Sequence, residues 1–162
     1  MEFDLSPSPS RTKHLANPPV PGYDENVWTP TLTFGGLSTG ITYDTQNGSF
    51  VKIGRFCVAH ALIRLTSKGS ATLHAEIAGL PFQLAPTIHG GVPAVGSCLW
   101  SGMTTAFVTI VPFLPANASA IRLNGLTAAG TGPVELVDSD FANTTELHVT
   151  IAFRIGEYRR KL

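Results

Sequence analysis

Along much of the chain apolar residues recur at every second position. The clearest case is near the C-terminal end, where Leu147, Val149, Ile151, Phe153 and Ile155 alternate with Glu146, His148, Thr150, Ala152 and Arg154. A period of two is that of a strand with one face on a core and the other in water. Ala71–Ile77 repeats the pattern, which predicts Leu73, Ala75 and Ile77 inward and Thr72, His74 and Glu76 outward. Arg55–Ser67 is longer and apolar on both faces: Cys57, Ala59, Ala61, Ile63 and Leu65 on one, Phe56, Val58 and Leu62 on the other. Such a strand is expected to be central and covered on both sides, by a second sheet or by a partner subunit.

Turn signals divide these runs. Thr45-Gln46-Asn47-Gly48, between ITYD and SFVKIG, predicts a hairpin because Asn and Gly both tolerate positive φ. A second turn at Lys68-Gly69-Ser70 then makes three consecutive antiparallel strands. The stretch 79–91, carrying Pro81, Pro86 and a Gly pair, reads as a loop. Val92–Trp100, Thr104–Val111 and Ser119–Asn124 read as further strands, separated by Ser101-Gly102, by Pro112–Asn117 and by Gly125–Gly132. Asp138–Asn143 is turn-rich, with a short helical turn capped by Ser139 or Asp138 as its expected content. No 3.6-residue pattern lasts two turns. About nine strands without helix define an all-β class, an antiparallel β-sandwich or jelly-roll-like domain. Meander, Greek-key and jelly-roll orders all remain open.

The first 27 residues are a different material. SPSPS and NPPVPG bring five prolines and no hydrophobic period, which favours an extended arm over a share in a core. The expected division is an attachment arm over 1–27, with Phe3, Leu5, Pro7, Pro9, Pro18, Pro19, Pro21 and Tyr23 as its contact residues, and a β-sandwich over 28–162.

Composition narrows the partners. The formal net charge is +0, so nothing in the charge balance points to a basic field for nucleic acid or an anionic membrane. Between Trp28 and Phe153 only five basic and six acidic side chains occur, and mean hydropathy is +0.17. So little surface charge points to an apolar face covered by another copy of the chain. Every apolar run stops short of the ~18 residues a membrane helix needs, and the N-terminus has no apolar core of a secretory signal. Cys57 and Cys98 are expected as buried free thiols. The basic tail Arg159-Arg160-Lys161 is expected to be solvated.

WTPTLTFGG, then GITYDTQNGSFVKIGRF, then LTSKGSATLHAEIAGLPF resembles a β-domain of tailed-bacteriophage virion proteins, found in tail fibres and other head or tail appendages. LVDSDFANTTELHVTIAFRI resembles the closing strand of that domain. The resemblance implies a homotrimer and carries no catalytic motif. Trp28, which opens the pattern, is expected to anchor the junction of arm and body.

Candidate chemistry is sparse. His74 and Glu76 share one strand face, and His60 or His148 on a neighbouring strand would complete three metal ligands, but the pattern has no His-x-His pair. His14 and His89 stand alone. Asp138 and Asp140 sit in a turn, where Asp bonds its own backbone, and Glu76, Glu135 and Glu146 are isolated, so the paired carboxylates of a glycosidase are not evident. No nucleophile elbow or phosphate loop occurs. The expectation is therefore no enzyme, no catalytic residue, no metal and no cofactor. Trp28, Phe56, Val58 and Leu62 are the expected oligomer interface or core, and Trp100 and Met103 an exposed ligand loop. With only 27 residues before the domain, the arm favours a capsid decoration, cement or short head-fibre protein of the virion, assembled in the bacterial cytoplasm. A tail-fibre or tail-tip protein recognising a host-surface glycan or protein is the alternative.

Overall fold

The computed structural model describes residues 22–86 and 92–156. Phe3, Leu5, Pro7, Pro9, Pro18, Pro19, Pro21, His14, His89 and the basic tail lie outside the described residues. Eleven strands run in the order β1 (Tyr23–Trp28), β2 (Thr31–Phe34), β3 (Ile41–Ile53), β4 (Phe56–Lys68), β5 (Ala75–Ala78), β6 (Ala94–Val95), β7 (Ser97–Met103), β8 (Thr109–Leu114), β9 (Ile121–Leu126), β10 (Val134–Glu135) and β11 (Phe141–Arg154). Two antiparallel sheets result, β1-β3-β4-β11-β7 and β2-β5-β9-β8-β6, with β10 added beside β9. No described helix is long and apolar enough to cross a membrane.

Alternation decides what lies between the layers. Cys57, Ala59, Ala61, Ile63 and Leu65 of β4 and Leu147, Val149, Ile151 and Phe153 of β11 are buried. They meet Leu32, Phe34, Ala75, Ile77, Ile110, Leu114, Ile121 and Leu123 from the six-stranded sheet in one cluster. Phe34 and Phe141 join the layers edge to face, ring centres 5.1 Å apart. Small residues at 59 and 61 let the central strand approach the opposite sheet closely.

Four expectations about turns and strands are corrected. First, the chain does not turn at Asn47-Gly48: β3 runs straight through, pairing from Ile41↔Lys68 to Ile53↔Phe56 with bulges beside Tyr43. The turn is at Gly54-Arg55, where Gly54 has φ +59, the positive value a two-residue hairpin of type II′ requires at its first position. Second, β5 does not pair with β4; after Gly69 the chain crosses to the other sheet, and β11 takes the place beside β4. Leu73, expected inward, belongs to this crossing and is exposed, at φ +89, its N–H donating to Asp138 Oδ1 at 3.0 Å.

Third, Val92–Trp100 is not one strand. Ala94–Val95 pairs with β8 in one sheet and Ser97–Met103 with β11 in the other. The corner is Gly96, where a Cβ would lie 2.2 Å from the Thr150 carbonyl oxygen. Fourth, Pro112 lies within β8 rather than in a loop. Its missing N–H falls where β6 has already left the edge, and its carbonyl accepts from Gly96 N–H at 2.8 Å. The expected helical turn is a 3-10 turn, Asp138–Asp140, but Asp140 rather than Ser139 or Asp138 closes it, its Oδ2 accepting from Val137 N–H at 2.9 Å.

β1 starts at Tyr23, so the last residues of the stretch expected as arm form an edge strand on β3. Its final residue, Trp28, is buried on the inner face above Gly48, and its Nε1 donates to the carbonyls of Ser49 and His60 at 3.2 and 3.1 Å. Gly48, expected in a turn, is instead the socket for an indole.

Candidate functional site

β4 was expected to be covered on both faces, yet among the described residues only its inner face is. The second layer packs against one side alone, and among the described residues nothing packs on the outer side of the five-stranded sheet. Cross-strand partners share a face, so the register assembles that surface row by row. Tyr23, Ile53, Phe56 and Arg154 form the row at the hairpin end, followed by Glu25, Val51, Val58 and Ala152. Next come Val27, Ser49, His60, Thr150 and Ser97, then Asn47, Leu62, His148 and Leu99.

Of the thirteen exposed large hydrophobic side chains among the described residues, six stand on this one face: Tyr23, Val27, Val51, Ile53, Phe56 and Leu99, from 38% (Val51) to 76% (Val27) accessible. Val58 and Leu62 are half-buried between them. Phe56, Val58 and Leu62 thus lie together on an outer surface, while Trp28 belongs to the core. Val27, Val51, Ile53 and Leu99 were missed; the period-two run Val51-Lys52-Ile53 carried the signal but was obscured by the assumed turn before it.

The charged end of the face is internally neutralised. Arg64 Nε donates to Glu146 Oε2 at 2.9 Å and its Nη1 to Asp44 Oδ2 at 3.2 Å, and His148 Nε2 lies 2.7 Å from Glu146 Oε1. The Arg64 hydrogen bond, assisted by His148, holds the Glu146 carboxyl below the usual carboxylate range. Glu146 in turn, with Asp44, raises Arg64. His60 Nδ1 lies 3.0 Å from Thr150 Oγ1. A shallow hollow of about 420 Å³ opens between Val27, Ser49, Leu62 and Thr150.

A second hollow, about 720 Å³, lies at the hairpin end between Lys52, Arg55, Phe82, Gln83, Asn117 and Ile155. Its polar groups are engaged locally. Lys52 Nζ sits 5.9 Å from the Phe82 ring centre and 3.3 Å from the Gly22 carbonyl, Arg55 Nε donates to Ile155 O at 3.2 Å, and Gln83 Nε2 to Asn117 O at 2.6 Å.

The expected ligand loop is not a loop. Trp100 and Met103 belong to β7 and turn half-buried toward the core, because they share the inner face with their partners Leu147 and Phe141. Leu99, one residue earlier, is the exposed side chain. His74 and Glu76 do approach, at 3.5 Å, but Arg122 Nε joins the same Glu76 oxygen at 3.3 Å and its Nη1 reaches Glu135 at 3.3 Å. His60 and His148 stand on the opposite sheet, so they cannot complete a site with His74. No group of three His, Cys, Asp or Glu side chains suited to a metal occurs among the described residues. Asp138 and Asp140 bond locally, the latter accepting from Thr105 Oγ1 at 2.5 Å as well as from Val137. Cys57 is buried and Cys98 half-buried; both are free, and desolvation pushes their thiols up to about 11 and about 12.

No protein-family profile and no curated protein sequence matches the chain. Among solved structures it is similar to the Dettilon tailspike protein (gp208), with a TM-score of 0.64 and 18% identity over 83% of this chain. The match spans 24% of the tailspike, so the chain is similar to one part of that longer protein. At this identity the likeness is one of fold: an antiparallel two-sheet β-domain of a kind found in a phage tailspike.

Proposed function

We propose that the chain is a structural β-domain of a bacteriophage virion appendage, on the tail side, which works as a homo-oligomer. The observation that carries this reading is the sandwich shared with part of a tailspike over 83% of the chain. The sequence resemblance of the 28–82 stretch to phage virion domains points the same way. The domain is read as non-catalytic, because Asp44 and Glu146 on one sheet and Glu76 and Glu135 on the other are spent on ion pairs with Arg64 and Arg122 rather than left as a facing pair. Three copies is the expected number, and attachment runs through the Pro-rich segment that precedes β1.

A capsid decoration protein is the second reading, favoured by the composition of that N-terminal segment, which suits an extended chain laid in a groove. The test is cryo-EM of purified virions with the chain located by side-chain density, alongside particles carrying a deletion of residues 1–21, which spares β1. Density at the tail, lost on deletion, is the expected result. Density on the shell would replace the first reading by the second, and a chain missing from purified particles would overturn both.

A further inference from the structure

We infer that the outer face of the five-stranded sheet is the surface through which copies of this chain associate, with the band Val51, Ile53, Phe56, Val58 and Ala152 at its centre. The inference rests on the homo-oligomeric part of the reading above and names the surface that carries it.

Four observations converge. The apolar side chains are concentrated: the six exposed large ones of this face fall in adjoining rows, whereas the outer face of the other sheet carries the Glu76–Arg122–Glu135 ion group across its middle. A contiguous patch of this kind on a sheet is costly to leave in water. The area is also adequate. β3, β4 and β11 share nine rows, β1 lies beside six of them and β7 beside five, and at about 4.8 Å between strands and about 3.3 Å per residue they present about 600 Å² before side-chain relief is added. That is the low end of the roughly 600–1,000 Å² per partner of a stable protein interface.

Charge selects a second copy as the occupant. The face carries no cluster of like charge that would call for an oppositely charged ligand: Arg64 is held by Asp44 and Glu146, His148 by Glu146, and Glu25 and Arg154 are single charges of opposite sign at the two edges of the apolar band. Identical faces so balanced do not repel, and an apolar band meeting itself is self-complementary in chemistry. The relief fits as well, since the hollow beside Leu62 and Val27 can take a projecting side chain of a neighbour. β4 supplies the remaining logic: its outer residues Phe56, Val58 and Leu62 are core-like in type because in the assembly they are covered.

The test is the mass of the full chain in solution by light scattering coupled to size-exclusion chromatography. The parent protein is expected at an integral multiple of 17.2 kDa. The double variant V51K/F56K, altered only on the outer face, is expected at the monomer mass with an unchanged β circular-dichroism spectrum, and V134K, on the other sheet, at the parent mass. Val58→Cys, small enough to fold, supplies a second readout: its thiol should react with a maleimide at least tenfold more slowly than that of Val134→Cys at protein concentrations that keep the oligomer. A monomeric parent protein, an oligomeric V51K/F56K, or equal labelling at 58 and 134 would each overturn the inference. None of these outcomes touches the virion localisation, which stands or falls on the particle map.

Discussion

Gly48 offers a direct test of how β1 is fastened to the body. A Cβ built there lies 2.7 Å from both Cε2 and Nε1 of Trp28 and 2.8 Å from the Trp28 carbonyl oxygen. The indole cannot retreat without giving up its hydrogen bonds to Ser49 and His60, and the carbonyl belongs to the strand pairing itself. Gly48→Ala should therefore destabilise by ~1–3 kcal/mol, as overpacking does. A glycine in an ordinary strand gains ~0.5–1 kcal/mol from the same change. Trp28→Ala alone should cost about 3–5 kcal/mol, and in that background, where the backbone carbonyl of residue 28 still crowds the new methyl but the indole does not, Gly48→Ala should cost less than in the parent. The cycle then returns a coupling of about 1 kcal/mol. Denaturant unfolding followed by far-ultraviolet circular dichroism, at one fixed protomer concentration, measures all four proteins. In thermal melts each kcal/mol is ~2–4 °C for a chain of this size. If Gly48→Ala is as stable as the parent, or costs the same with and without Trp28, the packing argument is wrong and glycine is needed there for another reason.

Gly54 makes the contrasting case: no atom crowds it, but its φ of +59 serves the β3–β4 turn. Gly54→Ala should cost ~1–2 kcal/mol independently of residue 28, read in the same unfolding assay. Both native thiols should stay unmodified by iodoacetamide at pH 8 until the protein is unfolded, as counted by mass spectrometry; rapid labelling of folded protein would contradict their placement. Because the folded Cys57 thiol is raised from 9.0 to about 11, the unfolded chain loses this proton first. Its contribution to stability is complete below pH 9 and is lost as pH rises to about 11. Cys57→Ala should flatten that part of the stability profile, and an unchanged slope would count against the assignment.

The alternation in Glu146–Ile155 was enough to place most of β11 and its buried face, because burial against one layer imposes a period of two on any strand, but not its start at Phe141, inside the stretch expected as a turn. The all-β class followed from the same rule, as did the central place of Arg55–Ser67. What the chain alone could not convey is which strands share a sheet. Asn47-Gly48 has the local chemistry of a turn, yet a socket for Trp28 demands the same lack of a side chain, and only the packing of β1 tells the two apart. Leu73 alternates correctly and still points to water, since the chain there is crossing between layers. Val92–Trp100 is continuous in sequence but divided in space at Gly96, where the approach of Thr150 leaves room for nothing larger. The candidate face shows the same division. Phe56, Val58 and Leu62 were legible as apolar, because hydrophobic type is a local property. That Val27, Val51, Ile53 and Leu99 join them, and that Trp28 and Trp100 do not, was decided by strand register and by the second layer covering only one side of the sheet.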